Sequence, residues 1–354
     1  MKKIITLCAS AFLGLSSTLA TIITVSNNSN TPGQYSNLQT AINNANSGDS
    51  IYVHGSSTNY GAITINKPGL SLIGTGHQPQ KDFPFVSSLT DVTFDTIQYV
   101  SRGRNCKIIG LNLNSIGNAT SVNGLVTTVA IDRCKIGTLS IGGSNWVVTR
   151  CIINGGTYPN NNNNIVLSNN MFFSNLDGTG NSPTSVLISN NIFMCQNGVS
   201  MREIDNATIQ NNIFYKSSPS WPYYDFSGCQ NNTFNNNIAF LLGDNTLPPA
   251  GNSGANNFGA ANATGIDPKF VAVPIGNATF NYSYDYHLRS TAPISPGRNA
   301  GTDGTDIGIY GGAYPWIDMT GTPPIPQVKT FNVLNPSVNA GTPVNISVKA
   351  KKQN

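Results

Sequence analysis

The chain has one glutamate, Glu203, and only 10% of its 354 residues are charged. A site built on paired glutamates is excluded, and carboxylate chemistry would have to draw on scattered aspartates. Cysteine is sparse. Cys8 lies in the amino-terminal apolar run, and the others, Cys106, Cys134, Cys151, Cys195 and Cys229, are too few and odd in number for a disulfide framework. No Cys-x2-Cys spacing occurs, which removes a structural zinc site. His54, His77 and His287 are isolated in sequence and read as structural. No sustained apolar period of 3.6 runs through the central region, so helical repeats are excluded there.

Met1-Lys2-Lys3, an apolar run from Ile4 to Leu15 and small residues up to Ala20 read as a bacterial-type secretory signal cut after Ala20. That run is too short to span a bilayer and no later segment replaces it. The expectation is export to the exterior or the cell surface without membrane insertion. Without Lys2 and Lys3 the chain carries 17 basic against 15 acidic residues, which gives no electrostatic case for nucleic acid.

What is present is a repeat. Ser168-Asn169-Asn170-Met171-Phe172, Ser189-Asn190-Asn191-Ile192-Phe193, Gln210-Asn211-Asn212-Ile213-Phe214 and Asn235-Asn236-Asn237-Ile238-Ala239 share one frame, the first three at a spacing of 21 residues. Asp132-Arg133-Cys134-Lys135-Ile136 and Thr149-Arg150-Cys151-Ile152-Ile153 fit the same frame upstream. Apolar columns flank the polar pair at intervals of two: Ile131, Val148, Leu167, Ile188, Ile209 and Phe234 before it, and Ile136, Ile153, Phe172, Phe193, Phe214 and Ala239 after it. That spacing is strand, turn, strand with one face inward, and units of this length must stack to bury it. The turn column, Cys134, Cys151, Asn170, Asn191, Asn212 and Asn237, is expected to form an asparagine ladder and to supply the left-handed backbone of the bend. The two cysteines are expected to pack there as free thiols.

Ser36-Asn37-Leu38-Gln39 opens one helix, with Leu38, Ala41, Ile42 and Ala45 on one face, suited to plug the end of a solenoid. On the carboxyl side, 243–265 reads as loop, 315–326 as a proline-rich extended linker, and Val328 to Val333 with Val344 to Val348 as a closing hairpin. The helix before Gly48-Asp49-Ser50-Ile51-Tyr52-Val53, the Asn-Asn coils, and the segments Asp267-Pro268-Lys269-Phe270-Val271, Tyr286-His287-Leu288 and Asp306-Ile307-Gly308-Ile309-Tyr310-Gly311-Gly312 resemble secreted right-handed parallel β-helix proteins of the pectate-lyase-like group. The resemblance implies the fold. The catalytic Asn-Thr-Asp, Gly-His-Gly and Arg-Ile-Lys segments of its hydrolase-like branch do not occur, nor do the clustered carboxylates of its calcium-dependent lyases.

One set of residues could carry chemistry. Loops after the phenylalanine column on consecutive rungs bear Asp177, then Arg202, Glu203 and Asp205, then Lys216, Trp221, Tyr223, Tyr224 and Asp225. Glycoside cleavage needs paired carboxyls, and uronate elimination a base beside a cation. The five ionisable residues Asp177, Arg202, Glu203, Asp205 and Asp225 are therefore candidate catalytic groups, with Lys216, Trp221, Tyr223 and Tyr224 as polysaccharide-binding residues. The competing reading has Arg202 paired with Glu203 or Asp205 and the aromatic loop covering core. Asp303 and Asp306 are weak candidates for Ca2+; the segment lacks the carboxylate density of a calcium loop, so no cofactor is expected. Arg133 and Arg150, equivalent on adjacent rungs, form either an anion-binding pair or two cations splayed into solvent.

The sequence thus points to an all-β, monomeric right-handed parallel β-helix over residues 21–314 after a signal at 1–20, a linker at 315–326 and a hairpin tail at 327–354. The functional expectation is recognition of a polysaccharide or cell-surface glycan on the face bearing the 217–228 loop. The balance leans to a non-enzyme; an active member would be a polysaccharide lyase or glycoside hydrolase. The alternative is a structural surface or matrix solenoid.

Overall fold

The computed structural model describes residues 20–354 except 80–84, 98–99, 102, 119–125, 161–162, 181–182, 196–197, 217–224, 275–278, 318–320, 324–325, 336 and 353–354. Residues 1–19 of the proposed signal peptide lie outside the described residues, among which no helix is long and apolar enough to cross a membrane.

Ten parallel strands, from Ile22–Val25 to Thr233–Asn235, form one sheet, and from the second of them onward each coil returns to add a strand to a second, 14-stranded sheet. Part of that second sheet is a separate file, Thr157–Pro159, Leu176–Asp177, Met201–Arg202 and Phe226–Ser227. Leu167 lies over Ile188, Ile188 over Ile209, and Ile209 over Phe234, so equivalent residues of successive coils share one layer. Crossovers between parallel strands of one sheet take the right-handed course. The molecule is a right-handed parallel β-helix. Inside it Phe172, Phe193 and Phe214 stack with ring centroids 4.6 and 4.9 Å apart.

The corner divides its work between the two residues of each pair. Left-handed backbone falls on the first, at Arg133, Arg150, Asn169, Asn190, Asn211, Asn236 and Ala261, with φ from +52° to +58°. This corrects the expectation that the second residue bends the chain. The second residue faces inward and forms the ladder: Asn191 Oδ1 accepts the Asn170 N–H at 2.8 Å, and Asn191 Nδ2 donates to the Leu167 carbonyl at 2.8 Å. Asn212 and Asn237 repeat the pattern. Upstream, cysteine sulfur takes the acceptor role, with the Cys134 N–H 3.4 Å from Cys151 Sγ. All five described cysteines are free and buried.

The ladder runs one rung further than expected. Asn262 Oδ1 accepts the Asn237 N–H at 3.0 Å, and Ala263–Thr264 pairs with Ile238 and Ala239. The segment 243–265 therefore carries another coil, hidden in sequence because Ala261 stands where Asn169, Asn190, Asn211 and Asn236 mark the preceding turns. A second ladder, Asn232 over Asn257, sits at the corner that enters the first sheet; Asn232 Oδ1 accepts the Ala207 N–H at 2.8 Å.

The strands of the second sheet bury both faces. Ile152, Met171, Ile192, Ile213 and Ile238 point outward, yet are at most 1% exposed, because Phe270, Tyr286, Leu288, Ile307, Ile309 and Trp316 cover them. The covering chain is strapped to the outward asparagines. Asn236 Nδ2 donates to the Ala300 carbonyl, Asn211 holds Thr302, and Asn169 Nδ2 reaches the carbonyls of Ile309 and Gly311 at 2.9 and 2.7 Å. Gly312, at φ +73°, permits the close approach: a Cβ there would lie 2.6 Å from Asn190 Oδ1. In the stretch read as an open linker, Trp316 and residues 321–323 are buried. The final strands, Pro326–Val333 and Ile346–Lys352, form an antiparallel hairpin.

The helix Leu38–Asn44 caps the amino end, with Asn37 Oδ1 accepting the Thr40 N–H at 2.8 Å and Leu38, Ala41 and Ile42 buried. Asp49 ties the cap down, accepting N–H groups from Thr21 and Asn46, both at 2.7 Å. Burial pushes its carboxyl up, but these N–H donors and Lys67 outweigh that and hold it below the ordinary 3.8. A depressed folded pKa contributes stability that is present above the unfolded value and lost as pH falls through the folded one. Amide exchange across residues 21–49 should therefore accelerate below about pH 4 in the native chain and lose that acid-dependent step in Asp49→Asn. Asn191→Ala should cost about 2–4 kcal/mol in chemical denaturation, because it strands the buried Asn170 N–H and the Leu167 carbonyl.

Candidate functional site

The expected catalytic set is consumed largely by architecture. Asp177 and Arg202 are register partners on adjacent coils, with Arg202 Nη1 3.3 Å from Asp177 Oδ2. The other Asp177 oxygen caps its own turn at the Thr179 N–H, 3.0 Å away. Glu203 Oε2 accepts the Gly180 N–H at 3.2 Å, and Asp205 Oδ1 accepts the Gln230 N–H of the next coil at 2.8 Å. Arg202 thus pairs across the coils with Asp177, where the sequence pointed to Glu203 or Asp205.

Lys216 and Asp225 form a separate, buried ion pair at the two feet of segment 217–224. Lys216 Nζ also donates to the Gly198 carbonyl at 2.9 Å, and Asp225 Oδ2 accepts the Gly243 N–H at 2.9 Å. Burial pushes the Asp225 carboxyl up, and the ammonium beside it opposes that. Asp225 is turned inward, away from the half-exposed Arg202. Trp221, Tyr223 and Tyr224 lie outside the described residues.

Arg133 and Arg150 neither splay nor leave an open anion site. Both converge on Asp132, Arg150 in a two-point contact at 2.7 and 2.9 Å, and the Arg150 guanidinium lies 5.8 Å from the Tyr314 ring centre. Asp303 Oδ1 accepts the Thr305 N–H, and Asp306 pairs with Arg298 at 2.8 Å, so each carboxylate is engaged in the strap. Among the described residues no group of three or more His, Cys, Asp or Glu is placed to hold a metal ion.

A cleft of about 250 Å3 lies elsewhere, in the outer layer. Phe280, Tyr282, Tyr284, Tyr286, Tyr310 and Trp316 supply its aromatic lining; Gln78, Asp285 and His287 supply its polar groups. The rings brace one another: Phe280 stacks on Tyr286 at 5.6 Å and meets Tyr282 edge-on at 4.7 Å. Trp316 Nε1 is fixed on the Asn169 carbonyl at 2.6 Å, and the Tyr282 hydroxyl donates to the His77 carbonyl at 2.8 Å. His287 stacks on Tyr310 with centroids 3.6 Å apart, and its Nδ1 lies 2.7 Å from Asp285 Oδ1. Burial pushes the Tyr286 phenol up to about 12. The sequence signal for this cleft was the alternation Tyr282, Tyr284, Tyr286 beside Asp285 and His287, outside the coil repeat.

No family model matches the chain, and no curated protein matches it in sequence. Among solved structures it is similar to a pectin methylesterase from Aspergillus niger, at 12% identity and a TM-score of 0.30, over 68% of this chain and 86% of that one. The fold assignment stands on the strand pairing.

The buried Lys216–Asp225 pair supplies a test of stability. Lys216→Met leaves a buried carboxylate unpaired and should cost about 3–5 kcal/mol in denaturant unfolding, whereas Lys216→Met with Asp225→Leu should recover most of that loss.

Proposed function

We propose that the protein is exported and binds a polysaccharide or cell-surface glycan in the aromatic cleft of its outer layer. One observation carries the reading: an open cleft lined by six aromatic side chains, with Gln78, Asp285 and His287 as its polar groups. Binding sites are typically apolar, aromatic surfaces with a few placed polar groups. A sugar ring offers an apolar C–H face to aromatic planes and hydroxyls to an amide, a carboxylate and an imidazole. Rings locked by mutual contact lose little freedom on binding.

Cleavage is the second reading, and the Asp285–His287 pair favours it. A carboxylate on Nδ1 orients an imidazole and fixes its tautomer, the arrangement of a general base. The 217–228 face is a competing location, so the test separates the two.

Retention on glycan arrays and immobilised polysaccharide, with product detection on retained glycans, should show binding by the native chain. Tyr284→Ala and Tyr310→Ala should each weaken it about tenfold, the loss of one stacking face. Loss in Trp221→Ala and Tyr224→Ala alone would move the site to the 217–228 face. Products that vanish in His287→Gln would make the cleft catalytic. No retention and no products would leave a structural solenoid.

A further inference from the structure

A second cavity, of about 230 Å3, shares no residue with the aromatic cleft. Tyr215, Phe270, Asp267, Lys269 and Arg289 are among its lining residues. Tyr215 ends the strand Ile213–Tyr215 and is only 2% exposed, its ring clamped between Phe240 at 5.8 Å and Phe270 at 5.4 Å. Its hydroxyl makes no hydrogen bond to a described residue. The hydroxyl opens onto the cavity, where an occupant can accept a hydrogen bond from it.

Lys269 and Arg289 stand at the same end of the antiparallel pair Phe270–Ala272 and Asp285–Leu288, where the Arg289 N–H donates to the Lys269 carbonyl at 3.0 Å. Like charges placed opposite each other across a strand pair repel. Neither cation makes an ion pair with a described residue. Asp267 is the one carboxylate in the lining, and its Oδ1 is occupied by the Lys269 N–H at 2.8 Å. The cavity therefore holds two cations, one anion and a donor without an acceptor. Burial, with Asp267 nearby, pushes the Tyr215 phenol up, so it stays protonated and able to donate.

We propose that this cavity is an oxyanion site, binding a carboxylate or sulfate group between Lys269 and Arg289 with a hydrogen bond donated by Tyr215. Phe270 and its apolar neighbours then face the body that carries the anion. The inference is independent of glycan binding in the aromatic cleft.

Calorimetric titration of the full chain with sodium sulfate and sodium acetate, at ionic strength fixed with chloride, tests it. Saturable binding of one or both is expected, and the tighter of the two identifies the preferred group. Tyr215→Phe keeps both ring contacts and should weaken binding about tenfold, and Lys269→Gln with Arg289→Gln should abolish it. Asp267→Asn keeps the oxygen that accepts the Lys269 N–H while removing the opposing charge, and should tighten binding about five- to tenfold. A gain cannot arise from misfolding. Absence of saturation with both anions, or equal affinity in the native, Tyr215→Phe and Asp267→Asn proteins, would overturn the proposal.

Discussion

A buried corner needs a partner for its backbone N–H, and from Cys151 onward that partner is an asparagine side-chain oxygen one coil further along. Asn170 takes it from Asn191, Asn191 from Asn212, Asn212 from Asn237 and Asn237 from Asn262. Because the donor sits at a bend, a slip of one residue in any coil would leave an unsatisfied group at 0% exposure and turn the apolar columns outward. The ladder therefore fixes register, while the phenylalanine and isoleucine stacks provide the larger apolar stabilisation. Cys134 and Cys151 are tolerated because sulfur can stand in as a weak acceptor in a compact apolar volume.

The same corner explains where the outer layer sits. Bending the chain through left-handed backbone on the first asparagine turns its amide outward, so successive coils present a row of donors along the molecule. Ala300, Ile309 and Gly311 offer carbonyls to that row. The residues that follow the corner, from Ile152 to Ile238, are apolar and need cover. Polar row and apolar strip run side by side, and a single returning segment satisfies both. One backbone decision, repeated per coil, thereby builds the inner register and the docking track for the layer that carries both cavities.

The coil repeat was legible because it is written in two independent codes, the Asn-Asn pair and the columns at intervals of two. Where one code fails, as at Ala261, the coil disappeared into apparent loop although its ladder residue Asn262 is present. The apolar strip was legible too, since Met171 and Ile192 follow the pair as regularly as Phe172 and Phe193 do, but a one-sided reading of the strand assigned it to no core. The cleft was not legible in the same way. Phe280, Tyr310 and Trp316 come together through the strap, whose path is set by contacts of more than 100 residues in separation, such as Asn169 with Ile309 and Gly311. Periodicity carries no information about such contacts.

Charge scarcity sharpens where chemistry can reside. Asp49, Asp132, Asp177, Asp205, Asp225 and Asp306 each hold a backbone N–H, a guanidinium or an ammonium, and a carboxylate so engaged is a poor general base. The β-helix spends its few charges on corners, caps and loop feet. Charged groups facing open cavities are left to the outer layer: Asp285 and His287 in one, Lys269 and Arg289 in the other, where the coil strand adds Tyr215. An inner cylinder whose every coil must match its neighbours has little freedom to accept new side chains. A covering layer that touches it chiefly through backbone groups and one apolar strip has more, since Asn169 and Asn236 read carbonyls rather than the side chains attached to them.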